Sequence, residues 1–176
     1  ILQETLPNVV AAHTMQSYIG GYGSMINPVG ACATAAVSID DALDKIALHK
    51  ADFVVAGAID DIQVESIEGF GSMNATAESS AMLAQGIHDR RRGGFIESQG
   101  GGTVLLTRAS VAEGMGLPVL GVLAFAQTHA DGAHTSIPAP GIGALSVGRG
   151  GADSVLARRL GALGVALALI ALPLFD

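Results

Sequence analysis

Apolar positions recur along the chain with two periods, and the alternation between them predicts its elements. From Asn8 to Ser17 the apolar residues Val9, Val10, Ala12 and Met15 have helical spacing, and Gly20, Gly21 and Gly23 then break the pattern. A Gly/Pro-marked stretch through Ile26–Val29 leads into a second helical period from Ala33 to His49. In it Ala36, Ile39, Leu43 and Ile46 share a face, while Asp40, Asp41, Asp44 and Lys45 mostly lie elsewhere. The short apolar runs 52–57, 103–107 and 120–126 predict buried strands. Ala109 to Met115 predicts a short helix ending near Gly116, with Pro118 beyond it. Strands alternating with helices imply an α/β layered sheet with helices packed on it.

Composition narrows this picture. The 176 residues fit one domain or part of a larger one. Hydrophobic residues make up 49% and aromatics 4%, so the core must be built from Ala, Val, Leu and Ile. The net charge of −7 argues against nucleic acid as a partner. A lone cysteine excludes an intrachain disulfide framework and fits a reducing, cytoplasmic compartment. The first residues, Ile-Leu-Gln-Glu-Thr-Leu-Pro, lack the basic region and apolar run of a signal peptide and read as the middle of a longer polypeptide. The uncharged run 160–175, at 16 residues, is shorter than the ~20 that span a bilayer and is interrupted by Pro173, so a buried helix plus strand is expected, not a membrane anchor. No metal site is expected, because the five histidines lack partners at ligand spacing and one Cys cannot build a zinc centre.

Candidate chemistry centres on Cys32, in Val29-Gly30-Ala31-Cys32-Ala33-Thr34-Ala35-Ala36. Small residues flank it, an extended stretch precedes it and a helical pattern follows. That order puts a thiol on a strand-to-helix turn at the positive end of a helix dipole, where an anionic sulfur is favoured. A lone Cys can equally be an inert, buried hydrophobe. The hydrolase pattern Gly-x-Cys-x-Gly fails because Thr34 fills its last position. Two loops add polar groups. Asp89-Arg90-Arg91-Arg92-Gly93-Gly94 holds three of the nine basic residues, and Thr128 to Gly143 mixes Asp131, His134, Thr135 and Ser136 with rigid prolines, as site-lining loops do.

The run Pro28-Val29-Gly30-Ala31-Cys32-Ala33-Thr34 resembles the nucleophile turn of β-ketoacyl synthases of the thiolase fold. Four further segments agree in order: Ala51 to Gly57 with Asp60-Asp61; Gly69-Phe70-Gly71-Ser72-Met73-Asn74-Ala75-Thr76; Arg92 to Gly102; and His134 to Gly141. The wording Glu97-Ser98-Gln99-Gly100 and Pro138-Ala139-Pro140-Gly141 resembles the ketosynthase region of type I fatty acid synthases of fungal and actinobacterial form. The resemblance covers roughly residues 1 to 160. It implies a partial ketosynthase domain over residues 1–176, the N-terminal part of an incomplete thiolase-like layer, with 160–176 a divergent apolar tail.

The implied chemistry is a decarboxylating Claisen condensation. Cys32 takes an acyl chain from an acyl carrier protein as a thioester, and the carbanion left when malonyl carrier protein loses CO2 attacks it. The backbone N–H of Cys32 is a candidate oxyanion donor. His134, Thr135 and Met73 are the candidate substrate-binding residues, and Arg90, Arg91 and Arg92 the candidate docking residues for an acidic carrier. No cofactor is expected on the chain itself, since phosphopantetheine arrives on the carrier. Neighbouring fatty acid synthase domains and a homo-oligomeric parent are the other implied partners.

The sequence departs from the family in three places. The two histidines that polarise the malonyl thioester have no counterpart among His13, His49, His88, His129 and His134. Relatives carry a longer insertion between His88 and Gly94, and Gln99 stands where many stand-alone synthases have a carboxylate. The chain alone is therefore expected to accept an acyl group but not to condense it. The alternatives are a noncatalytic structural fragment of a multienzyme assembly and a coenzyme-A-dependent thiolase.

Overall fold

A computed structural model describes residues 6, 8–20, 23–77, 89–91, 93–130, 134 and 155–164. Helix α1 (Val9–Thr14) continues as a single π turn, Met15–Ile19. Gly20 ends it in the left-handed region at φ 79°, with its N–H donating to the Met15 carbonyl at 2.7 Å. Glycine carries no Cβ penalty at that backbone angle, which is why the helical pattern stops there. An extended stretch then reaches a 3₁₀ turn, Ala31–Ala33, that feeds directly into α2 (Thr34–Ala47). Strand β1 (Phe53–Asp60), helix α3 (Val64–Ser72), strand β2 (Gly100–Thr107), helix α4 (Ala109–Met115) and helix α5 (Val155–Ala162) follow.

β1 and β2 pair with each other. Their close approaches run in opposite directions: a Cβ on Gly57 would lie 2.1 Å from the Gly102 carbonyl oxygen, and one on Gly101 would lie 2.5 Å from Ile59 Cγ2. The register is therefore antiparallel, and the glycines permit it, because no side chain fits at such distances. The Thr107 hydroxyl donates to the Asp52 carbonyl at 2.8 Å, and Arg108 pairs with the Asp52 carboxylate, closing one end of the ribbon.

The chain divides into two compact units, 1–56 with 104–176, and 57–103. The side chains buried among the described residues, Ala42, Ile46, Ala56, Ala112 and Leu160, all belong to the first unit. In the second unit Phe70 of α3 packs edge-to-face on Phe95, with ring centroids 5.1 Å apart at 79°. Gly94, at φ 72°, brings the backbone against Thr76, where a Cβ would lie 2.4 Å from the Thr76 carbonyl. A parallel bridge joins Thr76 to Phe95, so two of the sequence motifs meet there through the backbone.

Three expectations need correction. Leu120–Ala126 forms no strand, because a strand exists only when a neighbour satisfies its backbone groups and no described segment pairs with it. Its apolar side chains stand open instead, with Leu120 fully exposed and Val122 79% exposed. The expected face of α2 holds in part: Ile46 is buried and Ile39 and Leu43 are half-buried, but Ala36 is exposed and Ala42 is buried in its place. Helix α3 was not anticipated, since Gly69 and Gly71 each weaken a helix by about 1 kcal/mol relative to Ala. The Phe70–Phe95 contact offsets part of that cost. A helix reaches Ala162, with Leu160 buried, and the rest of the expected apolar tail, residues 165–176, lies outside those described. No helix among the described residues is long and apolar enough to cross a membrane.

Candidate active site

Cys32 is exposed and stands at the centre of the 3₁₀ turn, immediately before α2. The turn is built by its neighbours. Ala31 adopts φ 48°, in the left-handed region that costs an L-residue such as alanine roughly 1–2 kcal/mol. The Thr34 hydroxyl holds it there: it donates to the Ala31 carbonyl at 2.7 Å and accepts from the Gly30 N–H at 3.0 Å. The Ala33 N–H donates to the Gly30 carbonyl at 2.9 Å and closes the bend. A Cβ on Gly30 would lie 2.7 Å from Val37 Cγ2, so glycine alone lets the incoming strand sit this close to α2. Thr34, Gly30 and Ala31 thus form one device that fixes the backbone on either side of the sulfur. Backbone strain of this kind persists only where surrounding contacts over-determine it, and it clusters at functional sites.

The amides at the start of a helical run have no partner inside the helix. Those around Cys32 therefore lie at the end of α2 where partial positive charge collects. Small side chains, Ala31 and Ala33, flank the thiol, and both are exposed. An acyl thioester carbonyl can approach such a sulfur without a bulky neighbour in its path. Before the turn in the sequence, Ala12, Met15, Gln16, Gly20, Gly23 and Met25 line an open groove of about 480 Å³.

The other candidates divide between the units. His134 lies in the same unit as Cys32 and is exposed. Thr135 and Arg92 lie outside the described residues. Met73, Arg90 and Arg91 belong to the second unit. Met73 follows α3 and is exposed. Arg91 is engaged by Asp89, its Nε and Nη2 donating to the two carboxylate oxygens at 3.2 and 3.0 Å. The Asp89 carboxylate raises the Arg91 guanidinium above its ordinary pKa. Arg90 is exposed. No cluster of His, Cys, Asp and Glu among the described residues could hold a metal ion.

Sequence reasoning missed the role of Thr34, which it used only to reject a hydrolase motif. The available signal was a hydroxyl residue two positions after the cysteine, where a helix begins and side-chain oxygens compete for backbone amides.

Comparison with known proteins gives the family and the fold. The family profile described as "Beta-ketoacyl synthase, N-terminal domain" matches residues 1–112. The chain is 40% identical over 153 residues to the fatty acid synthase alpha subunit stcJ of Emericella nidulans, covering 82% of this chain and 10% of that protein. It is 40% identical over 167 residues to the alpha subunit pigJ of Monascus ruber, covering 89% of this chain and 9% of that one. A crystal structure of a β-ketoacyl synthase from Burkholderia phymatum STM815 superposes with a TM-score of 0.58 at 22% identity, over 64% of this chain and 28% of that one. The chain belongs to the β-ketoacyl synthase family, and its fold is thiolase-like. It spans about a tenth of the length of the fungal subunits it matches.

Proposed function

We propose that this chain carries the acyl-accepting half of a 3-oxoacyl-[acyl-carrier-protein] synthase in a fatty acid synthase. The observation that carries the reading is the exposed thiol of Cys32, held on a strained turn at the start of α2. Family membership and the fungal synthase relatives support the substrate class.

The sulfur attacks the thioester carbonyl of an acyl chain on the carrier's phosphopantetheine. A tetrahedral oxyanion forms, and backbone amides at the turn, that of Cys32 among them, stabilise it. The intermediate collapses, the bond to the pantetheine sulfur breaks, and the thiol proton of Cys32 ends on the released pantetheine. A thiolate is both nucleophile and leaving group, so the same atom can later release the chain. In the second half-reaction malonyl carrier protein loses CO2, its C2 carbanion attacks the Cys32 thioester, and the 3-oxoacyl product leaves on the carrier. None of this chain's histidines matches the pair that assists that step in the family, so the 176 residues alone accept the acyl group without extending it.

An acidic carrier needs basic docking residues, and Arg90, Arg91 and Arg92 are assigned that role, Arg91 with part of its charge shared with Asp89. His134, Thr135 and Met73 are proposed to contact the acyl chain. The complete protein is proposed to be a cytoplasmic homo-oligomer containing further synthase domains.

Intact-mass measurement after incubation with acyl carrier protein thioesters and, separately, with acyl coenzyme A tests the reading. The expected result is one acyl group on Cys32, none on Cys32→Ala, preference for the carrier-bound donor, and no 3-oxoacyl product on adding malonyl carrier protein. Equal transfer from coenzyme A would favour the thiolase alternative, and no transfer from either donor would leave a structural fragment.

A further inference from the structure

We infer that Asp40 is a positioning residue, which docks the loop around Thr128 onto the nucleophile helix and so sets how the acyl donor meets Cys32. The inference rests on the acyl-transfer reading above and adds to it a residue that no sequence motif marks.

Asp40 Oδ2 accepts two hydrogen bonds from one residue, the Thr128 N–H at 2.9 Å and the Thr128 hydroxyl at 2.8 Å. Two donors converging on one carboxylate oxygen fix both position and orientation, and hydrogen bonds to an ionised acceptor are the stronger kind. The pair joins positions 88 apart in sequence, both in the unit that holds Cys32. Asp40 stands eight positions after Cys32, a rise of about 12 Å along a helix. Thr128 is thereby tied to the helix that follows the sulfur, about two turns along.

The segment so tied has no regular structure of its own. Residues 117–130 form no helix or strand, and Leu120, Val122 and Leu123 are exposed. Six positions beyond Thr128 stands His134, the residue proposed to meet the substrate. A segment without a ladder of its own takes its place from side-chain contacts, and Asp40–Thr128 supplies one. The carboxylate touches no reacting atom. Its effect is on binding and approach, so a bulky acyl donor should feel its loss and a small reagent should not.

The test uses the full polypeptide that carries these residues, with Asp40→Ala, Thr128→Val, the double variant and Thr128→Ser. Saturable acylation of Cys32 by acyl carrier protein is measured beside alkylation of the same thiol by iodoacetamide. Asp40→Ala should raise KM about fivefold and Thr128→Val, which keeps the backbone donor, about twofold to threefold, each with the maximal rate within about twofold of the parent, and the double variant should do no more than Asp40→Ala. Thr128→Ser should behave as the parent, and iodoacetamide alkylation should be unchanged throughout. The inference is overturned if KM stays put, if alkylation falls in step with acylation, if the two single effects add, or if Thr128→Ser is as impaired as Thr128→Val. A parent that accepts no acyl group sinks the proposed function and this inference together, whereas an acylated parent with unaltered variants sinks the inference alone.

Discussion

Among the described residues three that are not glycine adopt left-handed backbone angles, and they fall into two kinds. His49 and Asn74, at φ 54° and 52°, follow the ends of α2 and α3. There a left-handed residue lets following amides bond back to the last helical carbonyls, as Lys50 N–H does to Lys45 and Ala75 N–H to Phe70. Both residue types are enriched in that conformation. Ala31, at φ 48°, precedes a helix instead, and alanine has no polar side chain to ease the strain. At His49 and Asn74 the angle terminates a helix at low cost. At Ala31 it is imposed by Thr34 and Gly30 and places the next residue, Cys32, outward. The same angle thus marks a stop signal in one place and a functional turn in the other.

The comparison can be broken from the Gly30 side. Gly30→Ala puts a Cβ against stiff Val37, and overpacking of this kind costs roughly 1–3 kcal/mol. Thermal unfolding should shift down, and Cys32 alkylation should slow as the turn is displaced. An unchanged melting temperature would mean the close approach is easily relieved.

Thr34→Val keeps the shape of the side chain and removes both clamping hydrogen bonds, a loss of about 1–2 kcal/mol. Thr34→Ser should restore both stability and thiol reactivity. Failure of the serine variant to rescue would show that the methyl group, and not the hydroxyl, holds the turn.

The smallest and most discriminating effect has opposite signs at the two kinds of site. Ala31→Gly should relieve backbone strain and leave stability level or higher by up to about 1 kcal/mol, while Asn74→Ala should lower it by a similar amount. Chemical denaturation resolves both, and equal signs would end the distinction.

How far the sequence carried this picture depends on the range of the interactions involved. Helices α2 and α4 follow from local apolar spacing and from Gly116, which closes α4 at φ 66°. That 53–57 and 103–107 lie in strands follows from their short apolar runs, but the burial expected of them does not hold, since Phe53, Val55, Val104 and Leu105 are exposed on a ribbon of two paired strands; the turn at Cys32 follows from small residues ahead of a helical pattern. Helix α3 was hidden because Gly69 and Gly71 argue locally against a helix, while Phe95, which packs on it, lies 25 positions from Phe70. The run at 120–126 looked like a strand because apolar character reports burial and not pairing. The left-handed angle at Ala31 was not legible, since alanine does not advertise it. Asp40 read only as a polar position off the apolar face of α2, because its partner Thr128 is 88 positions away.

The measurement closest to the central claim is the rate of Cys32 alkylation by iodoacetamide in the folded chain and in the same chain unfolded in urea, at one pH and corrected for the effect of urea on a free thiol. A turn that exposes the sulfur at the positive end of α2 predicts faster reaction when folded, and loss of that advantage in Thr34→Val. A folded chain that reacts no faster than the unfolded one would contradict the account.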